Sequence, residues 1–386
     1  MRRILVFTRQ YIPGFKGGGP LRSLSALVEH LGNEFEFYVV TQDRDLGDLE
    51  SYKCIQLGTW NSVSGAQVKY FPLESISFNE IVGVFKDVGP DAIYLNSFFD
   101  PIFTLRVLVV RKIFRFFDRN LILAPRGELT YGALEIKKFK KNLFIKLAKF
   151  IGLYEGVIWH VSSDIEKDCV LRVFGSSVAR NVLVAPNLAP SLSQQVDSLD
   201  RRHGGALRIC FLSRISRMKN LDYALRVLRE VKADVIFNIY GPVEDDVYMK
   251  ECNDLIGELP ENVRVKLCGS ADPERVLDLL SCNDLFFFPT RGENFGHVIR
   301  EALTAGLLVL TSDQTPWQDL EEFQVGWSIP LSRETEFARL IEGVAGFSEH
   351  AKESAVRRCK EYARKRINSQ EVIEANRRLF GFACQS

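Results

Sequence analysis

Short apolar runs alternate with helical patterns along this chain, stop at one polar stretch, and then start again. In the first half the runs are Ile4–Thr8, Phe35–Thr41, Ala92–Leu95, Leu121–Ala124, Gly156–Val161 and Val182–Ala185. Helical spacing falls between most of them, as in Leu21–Leu31 and Asp164–Phe174. Apolar runs of this kind suit parallel strands covered on both faces, with helices as the crossovers. The polar stretch Ser191–Arg202, closed by His203-Gly204-Gly205, reads as a linker. Beyond it the strand candidates are Leu207–Leu212, Val235–Tyr240, Val263–Leu267, Leu285–Phe288 and Leu307–Leu310, with helices over Asn220–Val231 and Pro273–Leu280. The stretch Glu349–Phe380 is helical and charged. At 386 residues the chain exceeds one ordinary domain. Two α/β halves around one linker imply two Rossmann-like domains facing a central cleft. The expected bounds are 1–190 and 205–365, with a C-terminal helix at 366–386 packing back on the first domain.

The second half carries the most informative stretch, Arg291-Gly-Glu-Asn-Phe-Gly-His-Val-Ile-Arg-Glu301. Pro289-Thr290 ends the strand before it, and Ala302-Leu303-Thr304-Ala305-Gly306 completes a helix after it. Glu293 therefore falls on a strand-to-helix loop, and Glu301 is expected about two turns into the helix. Gly296 lets backbone approach a ligand, and the amides of Gly296, His297 and Val298 point out of the helix start as an anion site. Two carboxylates flanking such amides suit a molecule with hydroxyls, phosphate and more hydroxyls, such as a nucleotide-sugar. His297 starts the helix, where a packing or backbone role is expected rather than that of a base.

Other strand ends fit the same scheme. Lys16-Gly-Gly-Gly-Pro20 follows the first strand, and its glycines expose bare amides, although the dinucleotide fingerprint G-x-G-x-x-G is absent. Arg214 and Lys219 lie on the loop after Leu207–Leu212, where two cations could hold a leaving diphosphate, with Arg217 as a bystander. Gly241 and Gly269 close two further strands, as a binding floor or as plain turns. Arg126 and Glu128 stand at a strand end in the first half, as ligand contacts or as a salt-bridged loop. Asp43 and Asp45 resemble an acidic metal pair but sit in an acidic loop, Asp43–Asp48, and no metal site is expected there.

Charge narrows the partners. A net charge of +1 disfavours a nucleic-acid binder. Residues 101–150, however, hold 12 Lys or Arg against 3 Asp or Glu. Ile136, Phe139, Leu143, Phe144, Leu147, Phe150 and Ile151 recur there at helical spacing, between Lys137, Lys138, Lys140, Lys141, Lys146 and Lys149. Two readings stay open: an apolar stripe packed into the core, or a face attracted to an anionic membrane or lipid-linked phosphate. No run reaches the ~18 apolar residues of a spanning helix. The eight cysteines show no metal spacing and read as small hydrophobes in a reducing compartment. A cytoplasmic protein is expected, with peripheral contact at the inner face of the membrane if the second reading of the basic stretch holds.

With these segments in view, the chain resembles glycosyltransferase family 4, retaining enzymes of the GT-B fold. The similarity covers nearly the full length and is strongest from Leu207 to Pro330. The family's paired glutamates map onto Glu293 and Glu301, its Arg and Lys pair onto Arg214 and Lys219, its glycine-rich loop onto Gly17, Gly18 and Gly19, and a Pro-Asn near the domain crossing onto Pro186-Asn187. Pro289–Trp317 looks like bacterial members that build lipopolysaccharide, capsule and other surface polysaccharides. The resemblance implies transfer of a sugar from a nucleotide-sugar to an acceptor hydroxyl with the anomeric configuration kept. Arg214, Lys219 and helix-start amides would stabilise the diphosphate, Glu301 would take the ribose hydroxyls, and Glu293 would hold the sugar. Gly18, Gly19, Gly241, Gly269, Asn294, Phe295, Gly296, His297 and Val298 would complete the donor site. The leaving diphosphate can take the acceptor's proton, so neither cofactor nor metal is expected. The acceptor would be a glycan or a lipid-linked sugar, with Asn96, Arg126, Glu128 and His160 on its side. One departure is Asn96-Ser97, where many members have a histidine near the reacting sugar. Two rivals stay open: a nucleotide-sugar 2-epimerase of the same fold, and a sugar-nucleotide-binding protein without transfer activity.

Overall fold

The computed structural model describes residues 1–72, 76–114, 120–189, 205–272, 275–366 and 370–384. The linker expected over Ser191–Arg202 lies outside them. The chain divides into two compact units, Met1–Ser191 with Asn368–Ser386, and Leu192–Ile367.

The strands of the first unit are β1 (Arg2–Phe7), β2 (Phe35–Gln42), β3 (Trp60–Val63), β4 (Ala66–Phe71), β5 (Ala92–Leu95), β6 (Asn120–Leu123), β7 (Val157–Val161) and β8 (Val182–Val184). They form one sheet in the order β3-β4-β2-β1-β5-β6-β7-β8. All pairs are parallel except β3 with β4. Chain order reverses between β1 and β5, so the loops after these two strands diverge to opposite faces and leave a switch point at their carboxyl ends. The β3–β4 hairpin was not expected. Its turn, Ser64-Gly65, has φ of 44° and 85°, the left-handed pair that a tight hairpin requires. The helix Phe78–Val88 was also not expected, although Ser77 and Glu80 close a capping box at its start.

The second unit contains β9 (Leu207–Leu212), β10 (Val235–Tyr240), β11 (Val263–Gly269), β12 (Leu285–Phe288), β13 (Leu308–Ser312) and β14 (Gly326–Ile329). Its sheet runs β11-β10-β9-β12-β13-β14, all parallel. The switch point here lies between β9 and β12. The run Leu285-Phe-Phe-Phe288 is fully buried, each side chain contributing on the order of 1.5–3 kcal/mol. The helix expected from Pro273 is described over Val276–Ser281, residues 273 and 274 lying outside the described set.

The charged C-terminal stretch forms two helices. Glu349–Arg366 packs in the second unit, with Tyr362 against Trp317. Gln370–Ala383 packs in the first, with the Phe380 ring against Phe35, Phe37 and Tyr94. Arg377 pairs there with Glu34 at 2.7 Å.

The basic stretch forms the helix Lys138–Phe150, but its apolar stripe does not enter the core. Ile145 and Ala148 are buried instead, whereas Phe139 and Phe150 are 81% and 89% exposed. Ile136, Leu143, Leu147 and Ile151 are exposed too, and only Phe144 of the stripe packs on the core. Of the two readings, the packed stripe is not the one found: the later turns of the helix dock through a narrow face centred one position off the stripe. The cysteines are corrected in part. All eight are free thiols, but Cys54, Cys268 and Cys282 are exposed. No described helix is long and apolar enough to cross a membrane.

Candidate functional site

In the second unit the loops after β9 and β12 are sewn together. The Asn220 side chain donates to Pro289 O at 2.8 Å and accepts from Arg291 Nε at 2.9 Å. Arg291 N and Thr290 Oγ1 both donate to Met218 O, at 2.9 and 3.1 Å. Asn220 can do this because it adopts a left-handed conformation, φ 63°, just before the helix Leu221–Arg229. The junction brings Lys219 Nζ to 2.7 Å from Glu293 Oε2, with both side chains mostly buried, 14% and 18% exposed. Lys219 also stands 5.5 Å from the centre of the Phe288 ring, so its charge is fixed from two sides.

Beyond Glu293 the chain turns into the helix His297–Thr304. Asn294 N donates to Glu293 Oε1 at 3.2 Å. Trp317 Nε1 donates to Phe295 O at 2.6 Å, and the Phe295 ring lies 4.6 Å from that of His297, tilted by 57°. Gly296 is required at the turn. Its φ is 77°, and a Cβ would lie 2.9 Å from Trp317 Nε1 and 3.4 Å from Glu293 Cγ. The helix starts with no side-chain cap and no acidic residue in its first turn, which leaves its positive end for an anion. Val298 is partly buried against the core, and His297 and Glu301 are buried. Glu301 stands four residues after His297, just over one turn into the helix rather than two.

The loops after β10 and β11 join the same edge. Gly241 N donates to Gly269 O at 2.8 Å. At Gly241, φ 141°, a Cβ would meet Ser213 O at 1.8 Å, so no side chain fits. Gly269 has open space around it. Arg214 pairs with Glu244 at 3.0 Å on the loop after β10, and Arg217 turns away to Glu251 at 2.6 Å. Arg214, Lys219, Gly241, Gly269 and the 293–301 stretch thus all lie on loops at the carboxyl end of one sheet.

The first-unit candidates behave differently. Asn96 is buried after β5; its Nδ2 donates to Thr8 Oγ1 and Pro20 O, and its Oδ1 accepts from Arg126 Nε at 2.7 Å. Arg126, at φ 54°, also donates to Tyr94 Oη at 2.8 Å and to Asn187 Oδ1. Glu128 accepts from Phe98 N, Phe99 N and Ser97 Oγ at 2.7–2.9 Å, and burial pushes its carboxyl above the usual range. His160 is buried between Tyr94 Oη, 2.8 Å from Nδ1, and Ala185 O, 2.9 Å from Nε2. Burial, with Arg126 nearby, lowers its pKa to about 3. A neutral imidazole with both nitrogens engaged is scaffolding. Arg126 and Glu128 do not salt-bridge each other, as the alternative to ligand contact had supposed; each is satisfied by neutral partners.

The glycine-rich loop opens the helix Gly19–Leu31, with Gly18 at φ 68°. Asp45 Oδ2 accepts from Phe15 N at 2.7 Å and Lys16 N at 3.0 Å, just ahead of the glycines. Asp43 instead binds Arg44 and Ser51. Among the described residues no group of His, Cys, Asp or Glu gathers to hold a metal ion. The pattern-based reading missed the roles of Asn220 and Tyr94; Asn187 was noted only within Pro186-Asn187, and Asp45 only as half of an acidic pair.

Two doubly wound, mainly parallel sheets in separate units are the arrangement of the GT-B fold. Residues 200–366 match the family described as Glycosyl transferases group 1. HepE from Anabaena, crystallised in complex with UDP and glucose, aligns with TM-score 0.70 and 17% identity, covering 99% of each chain. WaaG, a glycosyltransferase involved in lipopolysaccharide biosynthesis, aligns with TM-score 0.65 and 12% identity over 99% of this chain and 100% of its own. A 41.2 kDa uncharacterized protein in the cps region of Klebsiella pneumoniae is 23% identical over 296 residues, 74% of this chain and 77% of that protein.

Proposed function

We propose that this chain is a retaining glycosyltransferase of family 4 that takes a sugar from a nucleotide-sugar during surface-polysaccharide assembly. The observation that carries the reading is the Lys219–Glu293 pair at the joined loops of β9 and β12, beside an uncapped helix start. Lys219 and the helix-start amides meet the diphosphate, with Arg214 released to it from Glu244. Glu293 holds hydroxyls of the sugar, and Glu301 those of the ribose. The bond from the anomeric carbon to the diphosphate oxygen breaks, and a bond from that carbon to the acceptor oxygen forms on the same face. The acceptor's proton passes to the departing diphosphate. Developing negative charge on that oxygen is what Lys219 and Arg214 stabilise, at roughly 3–4 kcal/mol for a well-placed donor. No step requires a metal ion.

HepE holds UDP and glucose, which makes UDP-sugars the first donors to test. The relative in a cps region and the likeness to WaaG support capsule or lipopolysaccharide assembly. A lipid-linked acceptor fits the exposed stripe of the helix Lys138–Phe150, where Phe139 and Phe150 stand among lysines. Each Lys near an anionic surface contributes on the order of 1 kcal/mol, screened by salt. Peripheral contact with the inner face of the membrane follows from that reading.

The test is nuclear magnetic resonance of UDP-, GDP- and dTDP-sugars incubated with the protein, without acceptor. Slow hydrolysis that first releases the sugar with the donor's own anomeric configuration supports retention, and the opposite anomer contradicts it. A donor epimerised at C2 would favour the epimerase, and binding without any turnover the non-catalytic protein. Vesicles of phosphatidylglycerol should sediment with the protein at low salt, and the double variant Phe139→Ser, Phe150→Ser should stay in solution. Equal binding of both proteins would remove the helix from the account.

A further inference from the structure

The acidic loop after β2 has a task other than metal binding. Asp45 is 3% exposed, and its carboxylate faces three backbone donors: Phe15 N at 2.7 Å, Lys16 N at 3.0 Å and Leu46 N at 2.8 Å. Two of those donors immediately precede Gly17, Gly18 and Gly19. A buried carboxylate needs such partners, and hydrogen bonds to an ionised acceptor are the stronger kind. The same segment grips the approach to the glycines at further points. Asp48 pairs with the Lys16 ammonium. Tyr52 crowds Gly14, where a Cβ would lie 2.3 Å from Tyr52 Oη. The Tyr52 ring meets that of Tyr70 edge-on at 6.2 Å, and Tyr70 Oη donates to Ile12 O. From Ile12 to Lys16 the chain is therefore clamped from β4 and the loop after β2.

The glycines that follow cannot hold their own shape, since residues without a Cβ have the widest conformational freedom. We infer that Asp45 is a positioning residue: it fixes the stem of the glycine-rich loop so that the amides of Gly17–Gly19 are set before substrate arrives. This rests on the proposed role of that loop in substrate binding. Asp43, two residues earlier, is the natural control. It carries the same charge, but its oxygens go to Arg44 and Ser51, not to the loop stem.

The experiment compares wild type, Asp45→Asn and Asp43→Asn by hydrogen exchange and by turnover of the UDP-sugar that wild type hydrolyses fastest. In Asp45→Asn one oxygen becomes an NH2 group aimed at N–H donors. Exchange of the peptide covering 14–19 should rise about tenfold, and KM for the donor by about tenfold with kcat changed less, one charge-assisted hydrogen bond's worth. Asp43→Asn should leave both at wild-type values. If Asp45→Asn does not fold, Gly14→Ala pushes on the same stem through Tyr52, and on Asp45 Oδ1 itself at 3.1 Å, without removing a charge, and the same two changes are expected. Unchanged exchange would show that Asp45 is not the anchor. Faster exchange with unchanged KM would show that the anchored loop does not position substrate. Either result overturns the inference while leaving the glycosyltransferase reading intact, because wild-type turnover tests that reading separately.

Discussion

Both sheets reverse strand order once, and the two switch points use their polar residues in opposite ways. After β9 and β12, charged side chains pair with each other on the loops: Lys219 with Glu293, mostly buried, and Arg214 with the exposed Glu244. After β5 and β6 and on β7, Asn96, Arg126, Glu128 and His160 are consumed by buried neutral partners. Arg214, paired with an exposed carboxylate, can exchange it for a phosphate at small cost, since such pairs contribute about 0–1 kcal/mol. A guanidinium that satisfies Asn96, Tyr94 and Asn187 together cannot leave without stranding them. The same types of residue at equivalent strand ends are thus paired with each other where the proposed function places the ligand in one unit, and architectural in the other.

The comparison breaks most visibly at Arg126. Arg126→Ala should cost about 3–5 kcal/mol in urea unfolding of the first unit, because three buried polar groups lose their partner. Its affinity for UDP should stay at the wild-type value. A stable variant with weakened UDP binding would move Arg126 from the framework to the site.

A smaller effect sharpens the same contrast at His160. Its pKa in the folded protein, about 3, lies below the ordinary value of 6.5. The unfolded chain therefore binds the proton first, so the contribution of neutral His160 is present above pH 6.5 and is lost as pH falls towards 3. Glu128 and Glu166, buried and pushed upwards, act with the opposite sign and remain unchanged in a variant. Wild type should therefore lose more stability than His160→Gln between pH 7 and pH 4, by denaturant melts at both. Equal losses would mean that the imidazole is not held neutral.

The second sheet was legible because burial on both faces leaves no room for polar residues, and Leu285-Phe-Phe-Phe288 advertises that directly. The β3–β4 hairpin was not, since Trp60-Asn-Ser-Val63 lies at an edge and carries polar residues on its open side. The capping box Ser77–Glu80 was written in the sequence, but a short helix with few buried residues gives little periodic support. At the site, Lys219 and Glu293 could be placed because each follows a recognisable strand. Their meeting depends on Asn220 bridging the two loops across 69 residues of sequence to Pro289, and no local pattern encodes such a pairing. Burial of the stripe on Lys138–Phe150 stayed open for a related reason. Periodicity shows that a helix has an apolar face, while what covers that face is decided by neighbours.

The claim on which everything else rests is that the joined loops of the second unit bind the nucleoside diphosphate. Isothermal titration calorimetry with UDP, on wild type and on Glu301→Ala and Lys219→Ala, tests it directly. The account expects measurable affinity in wild type, a loss of about tenfold or more in each variant as a charged hydrogen-bonding partner is removed, and melting temperatures close to wild type. Wild-type affinity for UDP in both folded variants would contradict it.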